Sequence, residues 1–95
     1  MVNSILDFII ACYNTSVQDM LTLEQDCYKN NSISFDAFKR LIAAKDDINF
    51  YVDYIERVYG ISTKPSVLPL PKELNAFTKV AYLSSLKEKY GLTYT

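Results

Sequence analysis

Apolar side chains recur at alternating spacings of four and three residues through the first third of the chain. This is the period of a helix that packs along one seam, and it predicts a first helix from about Asn3 to Lys29. Ser16 is the polar interruption of the seam. The seam residues are Val2, Leu6, Ile9, Tyr13, Ser16, Met20, Leu23 and Cys27. Ile5, Cys12 and Val17 widen the apolar face, so we expect more than one neighbour to cover it.

A second seam with the same alternation predicts a second helix that runs to about Tyr59. Ser34 is the expected N-cap. Asp36 lies in the first turn, where the positive end of the helix dipole stabilises its negative charge. The polar turn before Ser34 is short, so the two helices should form an antiparallel hairpin. The seam residues are Phe38, Leu41, Lys45, Ile48, Val52, Ile55 and Tyr59.

Lys45 is the one charged residue in the second seam, and two interpretations of it stay open. It can keep the helix continuous, either by extending its amine to solvent or by fixing the register of the pair. Alternatively, the helix breaks near residues 45–47 and Asp47 caps a new helix.

Three prolines between residues 62 and 71 exclude a continuous helix there. Because Val67, Leu68 and Leu70 are apolar, we expect this segment to lie across the hairpin as a strap. Pro71 suits the first turn of a third helix, which we place from Lys72 to Tyr90. Its apolar residues form two groups, namely Leu74, Phe77 and Ala81, and Val80, Leu83 and Tyr90.

Two glycines suit helix ends. Gly60 and Gly91 each follow a tyrosine at the end of a predicted helix, which is typical of a left-handed C′ residue. An apolar residue after each of them can fold back onto its helix, Ile61 in one case and Leu92 in the other.

These patterns predict an all-α fold. Residues 1–95 should form a single domain, a small three-helix bundle built on a long antiparallel hairpin with a proline-rich strap. A broken second helix would make it a four-helix bundle. With only two glycines and three prolines, the chain has few of the turns that an all-β fold needs.

The net charge of −1 disfavours non-specific nucleic-acid binding. The charges are segregated, however: residues 1–61 carry five basic and nine acidic side chains, and residues 62–95 carry five basic and two acidic ones. Self-association through these opposite charges is one interpretation, and solvated surfaces are the other.

We expect a cytoplasmic protein. No apolar run is long enough to span a membrane, and Asp7 interrupts the apolar start, which also lacks the basic residues of a signal peptide. Cys12 and Cys27 fall on the apolar face of the first helix, so we expect reduced core residues rather than a disulfide.

The composition disfavours enzymatic activity. Without histidine, no side chain has an ordinary pKa near neutrality for general acid–base catalysis. No phosphate-binding loop, nucleophile motif or metal-ligand spacing is present, so we predict no catalytic residue, no metal site and no cofactor. The acidic stripe of Asp46, Asn49, Asp53 and Glu56 is interpreted as a solvated helix face.

The aromatic residues of the second helix are the remaining functional signal. Phe50, Tyr51, Tyr54 and Val58 lie outside its seam, so they are covered either by the third helix or strap, or by a partner. We predict a non-catalytic protein-interaction module that acts sterically, as small inhibitors and accessory factors of phages and plasmids do.

Two other functions stay open. One is a structural homodimer or assembly subunit. The other is a nucleic-acid-binding regulator that uses a basic face of the last helix, formed by Lys72, Lys79, Lys87 and Lys89.

Overall fold

The computed structural model describes residues 4–62 and 67–91, and over these ranges every regular element is α-helical. The helices are α1, Ser4–Asn30, α2, Phe35–Tyr59, and α3, Ala76–Gly91. α1 and α2 form a long antiparallel hairpin, and α3 packs against α1. The predicted all-α, three-helix architecture is confirmed. α2 continues without a break past Asp46 and Asp47, which excludes the four-helix alternative.

The ends of α2 follow the sequence signals. The Ser34 hydroxyl accepts a hydrogen bond from the Ala37 N–H at 3.0 Å, which satisfies one of the unpaired donors of the first turn. Gly60 adopts a left-handed φ of 68° and its N–H donates to the Glu56 carbonyl at 3.0 Å. The N-cap and this C-terminal glycine are therefore as predicted.

The core lies between α1 and α2 and extends to one side of α3. Five of its ten buried members, Met20, Cys27, Phe38, Leu41 and Ile48, come from the two predicted seams, which explains why the hairpin forms. Val67, Leu68 and Leu70 pack against this cluster, so the apolar strap is present as predicted. The largest fully buried side chains among the described residues are Met20, Glu24, Leu41, Ile48, Ile55 and Leu86.

α3 begins four residues later than the predicted Lys72. Asn75 caps it: its Oδ1 accepts from the N–H groups of Phe77 and Thr78, each at 3.0 Å. In return the Thr78 hydroxyl accepts from the Asn75 N–H at 2.9 Å. This reciprocal cap sets the start of the helix, and Pro71 lies outside it.

The buried face of α3 also differs from the prediction. Tyr82, Leu86 and Tyr90 are buried, whereas Phe77 and Val80 are among the most exposed apolar residues of the protein. Spacings of four place the three buried residues on one face of α3, which packs on α1. Of the two predicted apolar groups, Leu74, Leu83 and Tyr90 pack against the core, whereas Phe77, Val80 and Ala81 are exposed.

The C-terminal prediction for α3 was wrong at Gly91. This residue is the last of the helix, and Gly60 is the only glycine with a positive φ in the described ranges. A side chain at Gly91 would lie 3.7 Å from the Tyr28 hydroxyl, so the chain runs close to α1 there. The predicted contact of Leu92 lies outside the described residues.

The molecule is elongated. Its radius of gyration of 15.1 Å exceeds the value of about 12–13 Å expected for a compact chain of this length. α3 meets α1 at Glu24 and Tyr28, in the last two turns of that helix. The opposite end of the hairpin, where α1 begins and α2 ends, is the part that extends away from these contacts.

The two glycines should respond differently to alanine. Gly60→Ala should lower the free energy of unfolding by about 1 kcal/mol, because a Cβ in the left-handed region is strained even in open space. Gly91→Ala is the matched control and should range from neutral to about 1 kcal/mol stabilising, because Gly91 is helical. Urea denaturation of both variants checks this, and equal losses would contradict it.

Candidate functional site

A buried cluster of charged and hydroxyl groups joins the three helices and the strap. Its centre is Glu24 of α1, which is 0% exposed. Glu24 Oε1 accepts from the Tyr90 hydroxyl at 2.6 Å and from Lys89 Nζ at 2.9 Å, both on α3. Glu24 Oε2 lies 3.5 Å from Nζ of Lys45 on α2. One carboxylate therefore faces two ammonium groups from two other helices.

Lys45 connects this cluster to the strap. Its side chain is only 7% exposed, its amine donates to the Leu68 carbonyl, and it lies 5.4 Å from the centre of the Tyr82 ring. Burial lowers the pKa of Lys45, and Glu24 acts in the opposite direction by stabilising the charged form. Lys45 therefore neither reaches solvent nor breaks α2.

Two oxygens of the cluster are incompletely paired. Tyr82 Oη and Glu24 Oε2 are both buried, and neither makes a hydrogen bond of good geometry within the described residues. The two groups are nevertheless close enough to interact. Burial first, and then the Glu24 charge, raise the pKa of Tyr82 above its ordinary value.

The role of Glu24 was not predicted from the sequence. The available signal was Lys45, because a lysine in an otherwise apolar seam requires a buried counter-charge. Glu24 follows Leu23 and lies one helical turn after Met20, both of which belong to the first seam. Because its carboxylate is fully buried, no substrate can reach it in this conformation, and the cluster acts as a structural centre.

The other side of the hairpin faces away from α3. Successive helical residues differ by about 100°, so a residue two positions further lies about 200° around the helix. Glu24 and Lys45 point to α3 and the strap, which places Asp26 and Asp47 on the opposite side. These two aspartates and Asp19 line a groove between α1 and α2. We call this side of the hairpin the open face.

The predicted aromatic residues lie along the same side of α2. Tyr51, Tyr54 and Val58 follow Asp47 at spacings of four, three and four, which is one helix face. Phe50 and Val58 are 65% and 55% exposed, and the two tyrosines are half-buried. Phe50 stacks on Tyr54 with ring centres 6.4 Å apart and meets Tyr51 edge-on at 5.6 Å.

α1 contributes apolar side chains to the same end of the hairpin. Partial desolvation, and then the neighbouring Cys12 thiol, raise the pKa of Tyr51, so Cys12 lies beside that ring. Ile5 and Phe8 precede Cys12 by seven and four residues on the same helix face, and both are exposed. The open face thus has an apolar half at the free end of the hairpin and an acidic half toward its turn.

The four predicted basic residues do not share one face. Lys72 precedes α3, Lys79 is half-buried, and Lys87 is exposed. Lys89 turns inward to Glu24. Only part of the proposed basic surface is therefore available to a ligand.

The remaining candidates are consistent with structural roles. Asp46, Asn49, Asp53 and Glu56 are exposed, and Asp53 pairs with Arg57. No group of three potential metal ligands occurs within the described ranges.

Both cysteines are free; Cys27 is buried, whereas Cys12 is half-buried. Burial, followed by the charges of Asp26 and Glu24, raises the pKa of Cys27, which disfavours its reactive thiolate.

Comparison with protein-family models, curated proteins and solved structures found no match for this chain. Across the parts of the chain that the structure describes, no helix has the length and apolar content required to cross a membrane.

Neutralising Glu24 should destabilise the fold strongly. Glu24→Gln leaves Lys45 buried without a counter-charge, so the free energy of unfolding should fall by about 3 kcal/mol or more. Glu56→Gln is the matched control on the exposed face of α2 and should change it by less than about 0.5 kcal/mol. Urea denaturation measures both.

A double-mutant cycle separates the pair from general damage. Glu24→Leu combined with Lys45→Met should cost at least about 1 kcal/mol less than the sum of the two single losses, because each single change strands one buried charge. Additive losses would show that the two residues do not interact.

Alkaline pH should destabilise the protein. Burial raises the pKa of both Tyr82 and Tyr90 above 10, and the interaction of each tyrosine with Glu24 raises it further. Above pH 10 the unfolded chain loses these protons while the folded protein keeps them. Each tyrosine therefore lowers the free energy of unfolding by up to about 1.4 kcal/mol per pH unit.

Lys45 opposes this trend over a different range. Its lowered pKa makes stability rise with pH between that pKa and 10.5, and it adds nothing further above 10.5. The net loss of stability at alkaline pH should therefore be clearest above pH 10.5. Urea denaturation at a series of pH values measures it. Tyr82→Phe with Tyr90→Phe should flatten it, whereas Tyr54→Phe should not; an unchanged slope in the double variant would contradict the assignment.

Proposed function

We propose that this chain is a non-catalytic protein-binding module whose binding surface is the aromatic patch of Phe50, Tyr51, Tyr54 and Val58. The observation that carries the proposal is the position of the patch on the open face, away from α3 and the strap. Phe50 and Val58 are exposed, and the half-buried Tyr51 and Tyr54 do not join the core cluster, which disfavours a second core surface beneath the third helix or strap.

The chemistry of the patch suits protein recognition. Aromatic side chains bury a large area with few rotatable bonds, so ordering them costs little entropy. The Phe50–Tyr54 stack and the edge-on contact with Tyr51 support these rings before a partner arrives. Exposed Ile5 and Phe8 at the same end of α1 extend the apolar area.

The mechanism is steric. The chain contains no histidine, and its buried carboxylate is inaccessible, so the groups available at the surface favour contact rather than chemistry. The molecule is a long, narrow body of 50 × 32 × 18 Å, and the free end of its hairpin can occupy a cleft or cover a flat surface of the partner.

Truncating the aromatic patch should reduce the capture of the partner protein. Phe50→Ala with Tyr54→Ala, in tagged full-length protein, should reduce the amount of partner captured from an extract of the native host at least tenfold, since interface aromatics dominate binding energy. Asn49→Ala with Glu56→Ala is the matched control on the polar side of the same helix and should leave capture unchanged. Mass spectrometry identifies and quantifies the partner.

Circular dichroism melting decides between surface and core. A folded Phe50/Tyr54 variant that captures the same partner to the same extent would show that the binding surface lies elsewhere. A variant that unfolds would show that these rings belong to the core, which also contradicts the proposal.

A further inference from the structure

The outer stripe of α3 is a second surface without a partner. Phe77, Val80, Ser84 and Lys87 follow one another at spacings of three, four and three residues, so they share one face of α3. Phe77 and Val80 are 84% and 68% exposed, and Lys87 is exposed. The stripe is apolar toward the start of α3 and basic toward its end.

The acidic half of the open face carries more acidic than basic side chains. Asp19, Asp26 and Asp47 line the groove between α1 and α2, and none of them makes an ion pair with any residue that the structure describes. Arg40 is the basic residue in this groove, and its guanidinium pairs with Asp36 at 3.1 Å. Lys87 likewise has no acidic partner in the described ranges.

The two surfaces also match in length. Val80 precedes Lys87 by seven residues, and Asp47 precedes Tyr54 by seven, so both pairs span about 10 Å along their helices. With Val80 on the aromatic patch, Lys87 would therefore reach Asp47. Phe77 would then extend toward the apolar free end of the hairpin.

We infer that the partner on the open face is a second copy of this chain, which docks the outer stripe of its α3 there. This inference rests on the proposed function of the aromatic patch and names its occupant. Apolar contacts supply the affinity, and the pairing of Lys87 with the groove aspartates sets the register.

The geometry makes this contact heterologous. The open face and α3 lie on opposite sides of the hairpin, so the two surfaces of one copy face in opposite directions. Such an interface adds copies head to tail, into a ring if the rotation closes and into a chain if it does not. A two-fold dimer that pairs the patch with itself is the competing arrangement.

Sedimentation velocity on the full chain tests the assembly. The weight-average mass should rise above the 10.9 kDa monomer between micromolar and millimolar concentration, and it should fall again at high salt, which screens the charge pair. Lys87→Glu should weaken association about tenfold or more, and Asp47→Lys in the same chain should restore it. Lys39→Glu and Glu56→Lys are the matched charge reversals away from both surfaces and should have little effect.

A mixing experiment distinguishes the two arrangements. Val58→Asp disables the open face and Phe77→Asp disables the stripe, and both sites are exposed enough for the fold to survive, as circular dichroism will verify. Each variant alone should stay monomeric. An equimolar mixture should form a one-to-one complex that grows no further, because one intact open face meets one intact stripe.

Three results would overturn the inference. A monomer at all concentrations excludes self-association, while partner capture by the aromatic patch, measured separately, can still succeed. Association that Val58→Asp abolishes but Phe77→Asp leaves intact indicates the two-fold patch dimer. Association that neither variant changes removes both surfaces from the contact.

Discussion

The carboxylate of Glu24 is the interaction on which the arrangement of the other elements depends. A buried carboxylate costs several kcal/mol of desolvation unless charges and hydrogen bonds offset it. Here the compensation comes from Lys45 of α2 and from Lys89 and Tyr90 of α3. Apolar packing has little directionality and tolerates sliding, whereas a slip of one helical turn, about 5.4 Å, would separate these groups. The cluster therefore fixes the registers that the seams alone leave loose.

The helices of the hairpin could be predicted from the sequence because their signals are local and repeated. Long three–four seams define α1 and α2, and Ser34 and Gly60 mark the ends of α2 with side-chain and backbone preferences of their own. α3 was less predictable. Pro71 is permissive for a helix start but does not require one, and the reciprocal cap of Asn75 and Thr78 was a stronger local signal.

The face on which α3 packs could not be predicted from hydrophobicity. Phe77 and Val80 are as apolar as any residue of that helix, and they point outward. Tyr82 and Tyr90 are buried instead, because the Tyr82 ring lies against Lys45 and the Tyr90 hydroxyl donates to Glu24. The orientation of α3 thus depends on an ion pair between residues 65 positions apart, which no local pattern contains.

The exposure of the aromatic patch follows from the same docking. Two helices side by side leave two broad faces, and a single short third helix with a strap covers only part of one of them. Since Lys45 and Glu24 direct α3 to one side, Tyr51, Tyr54 and Val58 remain on the other. The residues of the candidate site could be predicted from the sequence, because they are aromatic and apolar side chains of the second helix that lie outside its seam. Their accessibility, however, depends on where α3 docks.

Charge segregation links the docking of α3 within the chain to the surfaces that remain outside. The acidic segment 1–61 and the basic segment 62–95 already attract each other inside the molecule, through Glu24 and Lys89. That contact uses one acidic and one basic residue of the two segments. The groove aspartates and Lys87 make no ion pair within the described residues. In the proposed assembly, the same charge complementarity that orients α3 internally would pair them between molecules.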